Sequence, residues 1–294
     1  MTGRIVVVGD LVTDIVAVLS GPPAPDTDTA ASIRFTGGGQ AANTAAWLAW
    51  HGVPVTLLAS VGADAAGEAR VAELRAAGVE CPLPPRTDAP TGTVIVLAEG
   101  GRRTMVTDRG ASLLLDPDAV AAAVGGGGHL HLSGYPLLDD ASRKAGLAAL
   151  AAAREHGLTV SVDAASAGPL RQVGAAAFLS WVRGVDLLLA NLDEAAVLTG
   201  FPDADPTDQA RSLAADLGAA VVVKRGAAGA VWADADGITA VPAPQATVLD
   251  PTGAGDAFAA GLLATHLSGG DSRASLTAAA AAGARAVAKV GARP

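Results

Sequence analysis

Asp250-Pro251-Thr252-Gly253-Ala254-Gly255-Asp256 runs without a break into Ala257-Phe258-Ala259-Ala260-Gly261-Leu262-Leu263. A glycine-rich turn that passes straight into an Ala/Leu run reads as a loop entering a helix. Pro251 favours an extended residue before it, and Gly253 and Gly255 permit left-handed or crowded backbone angles. With so little side chain in this turn, a ligand can come close to the N–H groups of Gly253, Ala254 and Gly255. At a helix N-terminus such donors have no partner within the helix, and the positive dipole end favours an anion. Asp256 falls in the first turn, beside that anion site. A carboxylate there suits abstraction of a proton from a hydroxyl about to attack a phosphoryl group. The plainer alternative leaves Asp256 as a helix-end residue stabilised by the dipole, with the glycines only making a turn.

The chain around this stretch has 294 residues, half of them hydrophobic, which suits one large α/β domain or two small ones. A net charge of −9 argues against nucleic acid or an anionic membrane as partner. A phosphate-bearing ligand must then be met locally, by backbone N–H groups, a few basic side chains or a metal ion. Cys81 is the only cysteine, so an intrachain disulfide is excluded and a reducing compartment is expected. Ile5-Val6-Val7-Val8 is too short for the apolar core of a signal peptide, and no apolar run reaches transmembrane length. The expectation is a soluble, cytoplasmic protein.

Arg4 to Val8, β-branched and ending in Gly9-Asp10, reads as a buried first strand. Leu11–Leu19 and Ala31–Phe35 follow as strands around a Pro- and Asp-rich loop from Gly21 to Thr29. Gly37-Gly38-Gly39 opens a helix from Gln40 to Trp50, Pro54–Val61 is a core strand, and Ala65–Ala76 is a helix stopped by Gly78. Four prolines between 82 and 90 mark a linker. Thr91–Leu97 and Arg102–Thr107 read as a hairpin across Glu99-Gly100-Gly101. From Asp116 onward helix and strand alternate, with strands at His129–Leu132, Leu158–Asp163, Asp186–Leu189 and Ala219–Lys224. Ala230-Val231-Trp232 and Ile238-Thr239-Ala240 make a late hairpin, and helices at Ala254–Leu267 and Arg273–Lys289 follow. Alternation of this kind predicts a mostly parallel sheet covered on both faces, with ligands outside the carboxyl ends of the strands. The strands within 11–36 and 91–108 have no such helices and are expected to form a small separate sheet.

Other stretches carry chemistry-bearing residues. Gly38-Gly39-Gln40-Ala41-Ala42-Asn43 is a second Gly-to-helix turn, where bare backbone can face a hydroxyl-rich ligand and Asn43 offers donors and acceptors; it also reads as a tight turn with a capping Asn. Asn191-Leu192-Asp193-Glu194 follows a strand and can bring an amide and a carboxylate towards one Mg²⁺ and its waters, or form only a capping box. Lys224-Arg225-Gly226 ends a strand, where the ammonium either reaches a phosphate or is solvated. Thr104, Thr107, Asp108 and Arg109 lie in or after the hairpin, and Arg103 or Arg109 is placed to add charge near a phosphoryl group. His51, His129 and His131 lack metal-ligand spacing and read as structural. Trp47, Trp50, Trp181 and Trp232 read as packing residues.

The stretch from Asp250 to Gly261 resembles the C-terminal signature of the ribokinase-like (PfkB) carbohydrate kinases, and Gly38-Gly39…Asn43 is similar to their N-terminal signature. The likeness spans nearly the whole chain, from Gly9 onward. It implies one kinase domain over 1–294, a three-layer α/β/α sandwich with a mostly parallel central sheet, and a β-sheet lid inserted at 11–36 and 91–108. It implies ATP-dependent transfer of the γ-phosphate to a hydroxyl of a small sugar, with Asp256 as base and Gly253, Ala254 and Gly255 as the anion hole. Asp14, Gly38, Gly39 and Asn43 would hold the acceptor, and Lys224 and Gly226 would flank the nucleotide. Asn191 and Glu194 would hold Mg²⁺ through water, Asp250 and Thr252 are the local ligands for K⁺, and a homodimer through the lid is expected. Departures weaken the case for ribose, fructose and ketodeoxygluconate: Gln40 where ribokinase has Lys, Val12 where it has Asn, and only Asp163 kept from an Asp-x-Asn-x-Arg run. Phosphorylated sugars are disfavoured because the first turn supplies no cation. A nucleoside kinase is the nearest alternative, though 3% aromatic residues leave little to stack a base. A sugar-binding protein that has lost catalysis is the alternative of another class. No Gly-x-Gly-x-x-Gly follows the first strand, which disfavours a Rossmann dehydrogenase.

Overall fold

The computed structural model describes residues 3–99 and 102–294. The Gly100-Gly101 turn expected in the hairpin, and the side chain of Arg103, lie outside the described residues.

The chain begins with β1 (Ile5–Val8), every residue buried, and then leaves the core for β2 (Val12–Leu19) and β3 (Ala31–Gly38). Helix α1 (Gln40–Trp50) returns it to β4 (Val55–Leu58), α2 (Ala65–Ala76) and β5 (Val79–Glu80). A second excursion makes β6 (Thr91–Glu99) and β7 (Arg102–Gly110). Next come α3 (Pro117–Val124), β8 (His129–Ser133), α4 (Tyr135–Leu138), α5 (Arg143–Glu155) and β9 (Thr159–Asp163). Two short helices, α6 (Ala167–Val173) and α7 (Ala175–Trp181), precede β10 (Leu187–Asn191), α8 (Leu192–Thr199), α9 (Pro206–Leu217) and β11 (Ala220–Lys224). The hairpin β12 (Ala230–Asp234) and β13 (Gly237–Val241) leads to α10 (Ala254–His266) and α11 (Ser272–Val287).

A nine-stranded sheet has the order β13-β12-β11-β10-β9-β8-β1-β4-β5, parallel from β11 to β5 and antiparallel only at β12 and β13. Adjacent residues of a strand point to opposite faces, so β1 feeds two cores. Ile5 and Val7 pack with α1, α10 and α11 on one face; Val6 and Val8 pack with α3, α5, α8 and α9 on the other. The expected strand Pro54–Val61 is shorter in the structure because β4 pairs with β1 only from Ile5↔Val55 to Val8↔Leu58, and the ladder ends there. Trp47 and Trp232 are buried, and His129 and His131 sit in the sheet bonded to Thr159 and Ser161, which agrees with packing and structural roles.

A smaller four-stranded sheet has the order β3-β2-β6-β7. β3 runs to Gly38, beyond the expected Phe35, because β2 keeps pairing with it as far as Val12↔Gly38. The Gly-Gly stretch is therefore the end of a strand that turns directly into α1. This sheet delivers Asp14; in the large sheet the strand order switches between the paired β1 and β8, where the chain goes on to β4 on one side and β9 on the other. A ligand crevice belongs at such a switch, outside the carboxyl ends of the strands.

Candidate active site

The carboxyl ends of the parallel strands carry Asp10, just after β1, and Ser133, Asp163, Asn191 and Lys224, which end β8, β9, β10 and β11. Asp10 serves the entry to α1: its carboxylate accepts from Gln40 N at 3.3 Å and Ala41 N at 3.2 Å, and its carbonyl from Ala42 N at 3.2 Å. It thereby satisfies orphan donors of a helix that has no side-chain cap of its own. Gln40 donates to Asp163 Oδ1 at 3.0 Å and accepts from Ser133 Oγ at 2.5 Å. Lys224 Nζ holds the other oxygen of Asp163 at 2.6 Å.

Lys224 is not a solvated strand end; its side chain is 13% exposed. Burial alone would lower its pKa, yet Asp163 and Glu194 outweigh burial and raise it. A Cβ on Gly255 would lie 3.7 Å from the ammonium, so the charge stands against the Gly253–Asp256 turn.

That turn has the form read from sequence. Gly253 caps α10 with φ of 76°, in the left-handed region, and a Cβ there would fall 2.4 Å from the Ala292 carbonyl oxygen. Only glycine meets both demands. The first helical bond is Ala257 N to Gly253 O at 2.9 Å, while Ala254 N turns back towards Pro251 O at 3.4 Å. Gly255 and Asp256 N–H groups thus lie in the uncapped first turn. Asp256 accepts from Asn43 Nδ2 at 2.9 Å on its Oδ2. Burial pushes its carboxyl up to about 7, helped by Asp163 and Asp10, against the pull of Asn43 and Lys224.

On β2, Asp14 is buried. Burial, with Asp10 nearby, pushes it up to about 6, against Arg293 and Arg70. Its carboxylate fills the space that a Cβ on Gly38 would occupy, 2.1 Å from Oδ1. Gly39 is pressed against the Asp10 backbone in the same way. Arg293 reaches this turn from far along the chain, so a cation absent from the local sequence is present in space. Arg109, at the end of β7, stands 3.9 Å over the Tyr135 ring.

Asn191 and Glu194 form a capping box: Asn191 Oδ1 accepts from Glu194 N at 2.9 Å, and Glu194 accepts from Asn191 N at 2.7 Å and Nδ2 at 2.6 Å. Glu194 is buried and pushed up to about 7, chiefly by burial and by Asp163, against Lys224. A buried carboxylate of this kind gains from a nearby cation, and each of its oxygens keeps a lone pair for a metal-bound water. The pair fits Mg²⁺ held through water and does not by itself make a direct-ligand cage. Among the described residues there is no cluster of three or more His, Cys, Asp or Glu that could hold a metal. Asp250 Oδ1 accepts from Thr252 N at 2.9 Å and Thr252 Oγ1 at 2.5 Å, and Oδ2 accepts from Gly291 N at 3.0 Å.

Beyond Lys224 and Gly255 opens a cavity of about 760 Å³, lined among others by Gly226, Ala246, Phe258 and Gly283. Its size suits a nucleotide-sized ligand, and one end abuts the anion turn. The structure therefore joins Asn43 to Asp256 and Asp14 to Gly38, and sets Lys224 beside Gly255, near Glu194, with Gly226 in the cavity wall. Sequence reasoning passed over Asp10, Gln40, Asp163 and Arg293 as site residues. Strand ends signal Asp10 and Asp163, and the start of α1 signals Gln40; no local signal marks Arg293.

A family model described as pfkB family carbohydrate kinase matches residues 2–294. The ATP-dependent ribose-1-phosphate kinase of Halopiger xanaduensis is 34% identical over 288 residues, covering 92% of this chain and 87% of that protein. A probable sugar kinase protein from Rhizobium etli superposes with a TM-score of 0.90 at 26% identity, over 100% of this chain and 96% of its own. The adenosine kinase of Sinorhizobium meliloti superposes with a TM-score of 0.90 over 100% of this chain and 96% of its own, at 24% identity, a likeness of fold alone.

Proposed function

The chain belongs to the pfkB family of carbohydrate kinases, and from that premise we propose that it transfers the γ-phosphoryl group of ATP to a hydroxyl of a small, unphosphorylated sugar. One observation carries the reading: Asp256 stands in an uncapped helix turn, with Asn43 of the acceptor side 2.9 Å from one oxygen and a nucleotide-sized cavity behind it.

Asp14, the bare backbone of Gly38 and Gly39, and Asn43 hold the acceptor hydroxyls. With Oδ2 of Asp256 occupied by Asn43, Oδ1 takes the proton from the attacking oxygen. The N–H groups of the Gly253, Ala254 and Gly255 turn, Gly255 foremost, meet the charge on the transferring phosphoryl group, and the Lys224 ammonium offsets it from the side. Gly226 flanks the nucleotide. Mg²⁺, when bound, neutralises the nucleotide phosphates, and Asn191 and Glu194 would hold it through water. K⁺ is the resemblance's contribution, with Asp250 as the anionic group and Thr252 beside it. The acidic floor formed by Asp10, Asp14 and Asp163 favours a neutral polyol over an anionic acceptor.

A second reading is a phosphorylated sugar. The Halopiger relative is named for ribose-1-phosphate, and Arg109 over Tyr135 is a cation at the edge of the acceptor side. A homodimer is proposed through the smaller sheet, whose register puts Ile33, Phe35, Ile95 and Val106 on the face away from Asp14, all exposed. No helix of the described residues is long and apolar enough to cross a membrane.

ADP release from MgATP with K⁺ present, against free sugars, nucleosides and ribose-1-phosphate, tests the reading. Turnover on a free sugar that collapses in Asp256→Asn is expected. Turnover confined to a nucleoside or to ribose-1-phosphate overturns the acceptor assignment. Tight sugar binding with no turnover on any acceptor favours a binding protein.

A further inference from the structure

Asn43 has to present a particular end of its amide. Nδ2 donates to Asp256 Oδ2 at 2.9 Å, and Oδ1 lies 3.2 Å from Arg293 Nε. An arginine has donors and no acceptor, so only the amide oxygen can face it. The nitrogen is then forced towards Asp256. Arg293 is itself fixed: Nη2 donates to Gly38 O at 3.1 Å and Nη1 to Glu73 Oε2 at 3.2 Å, while Arg70 takes the other oxygen of Glu73 at 2.5 Å. The guanidinium lies where a Cβ on Gly37 would be, 2.1 Å from Nη1, so the bare glycine leaves room for the arginine in this position.

The segment carrying Arg293 is anchored on both sides of the reaction centre. Trp47 Nε1 donates to Ala292 O at 2.9 Å, and Gly291 N donates to Asp250 Oδ2 at 3.0 Å. Lys289 Nζ bonds to Arg293 O, and Ala292 packs into the space left by Gly253. One stretch of chain therefore touches the turn that precedes Asp256 and the amide that faces it.

We propose that Arg293 is a positioning residue for phosphoryl transfer: its guanidinium locks the Asn43 amide so that Nδ2 faces Asp256 and leaves Oδ1 of the carboxylate for the acceptor proton. This rests on Asp256 being the base. Without the arginine, the amide can turn over whenever Asp256 is protonated and accept from the acid instead. The groups facing Asp256 are Asn43 from α1, Asp10 after β1, Asp163 from β9 and Lys224 from β11. Of these Asn43 is the one Arg293 touches.

The test uses Arg293→Gln, Arg293→Met, Asn43→Ala, Arg293→Gln/Asn43→Ala and Asp256→Asn, with circular dichroism and thermal melting as folding controls. Arg293→Gln is expected to lower kcat about tenfold, within the reach of mispositioning effects. The acidic limb of its kcat/KM profile is expected to move upward by about half a pH unit or more, the sign of a base that has lost a donor. The double variant should be no worse than Asn43→Ala alone, because the arginine acts through the amide. An unmoved acidic limb, or a double variant whose loss is the product of the single losses, overturns the proposal. Should Arg293→Gln not fold, the same two readings are taken on Arg293→Met, alone and combined with Asn43→Ala, since Met fills the space and offers the amide oxygen no donor. Asp256→Asn separates the layers. If it retains turnover the base assignment fails; if it is dead while the Arg293 variants match wild type, only this inference fails.

Discussion

Replacing Asp256 with Asn should remove activity and raise stability, an opposition that a merely structural aspartate would not produce. The carboxyl is pushed from 3.8 to about 7, first by burial. At about 1.4 kcal/mol per pH unit, that is about 4 kcal/mol against the ionised form. Water reaches the carboxyl from the cleft, and halving for that screening leaves about 2 kcal/mol. The sign follows from linkage: a carboxyl raised in the folded state burdens the fold progressively as pH climbs from 3.8 through about 7. Asn carries no such burden. The variant should therefore match wild type near pH 4 and exceed it above pH 7, where about 2 kcal/mol corresponds to a melting temperature about 4 °C higher for a chain of this size. Turnover should fall at least ~10²-fold, the usual span for loss of a general base. Differential scanning calorimetry of the ligand-free protein between pH 5 and 8, beside ADP-release kinetics, reads both quantities. A stability gain that does not grow with pH, or turnover above about half of wild type, refutes the reasoning.

Two further outcomes follow from the geometry. Gly38→Ala puts a methyl group onto the Asp14 carboxylate, 2.1 Å from Oδ1; the acceptor KM should rise more than about tenfold while the KM for ATP stays near wild type, and steady-state kinetics with each substrate varied decides it. Phe35, 68% exposed, and Val106, 57% exposed, share the outer face of the smaller sheet. Phe35→Ser/Val106→Ser should convert a dimer to monomer in light scattering, and an unchanged mass with retained fold removes this face from the interface.

Much of the architecture was legible because the strands are short, β-branched and punctuated by Gly, Asp and Pro. The parallel sheet, the separate small sheet and the helix entered from Gly253 all follow from local patterning. Boundaries drifted where pairing, not sequence, ends a strand: β4 stops with β1, and β3 is drawn on to Gly38 by β2. The two Gly-to-helix turns at Gly39 and Gly253 could be read because glycine followed by a helix leaves a mark in the sequence. Asp10 and Asp163 sit at carboxyl ends where ligands gather, yet a lone Asp after a strand looks like any strand end. Arg293 had no signal at all. It meets Asn43 across 250 positions of chain, and nothing local distinguishes it from a surface arginine. The inference that the acceptor turn lacks a cation failed for that reason: charge there comes from tertiary structure.

The balance of charge in the cleft explains why these long-range contacts exist. Asp10, Asp14, Asp163, Glu194 and Asp256 converge, and cations among them or close by include Lys224, Arg293 and Arg70. Lys224 is bound to Asp163 beside the Gly253–Asp256 turn, and Arg293 is bound to Glu73 and Asn43 beside the Gly37–Gly39 turn. Asp14, Glu194 and Asp256 are each lifted towards neutrality, chiefly by burial and to a lesser degree by neighbouring carboxylates. Such a site is electrostatically incomplete without added cations. If Glu194 holds a metal through water as proposed, a nucleotide accompanied by its metal would offset that carboxylate's charge, whereas an unaccompanied phosphate would meet the carboxylates directly. Under the proposed function, the acidic cleft would favour metal-bound nucleotide over free phosphate and neutral hydroxyls over an anionic acceptor, before any individual hydrogen bond is counted.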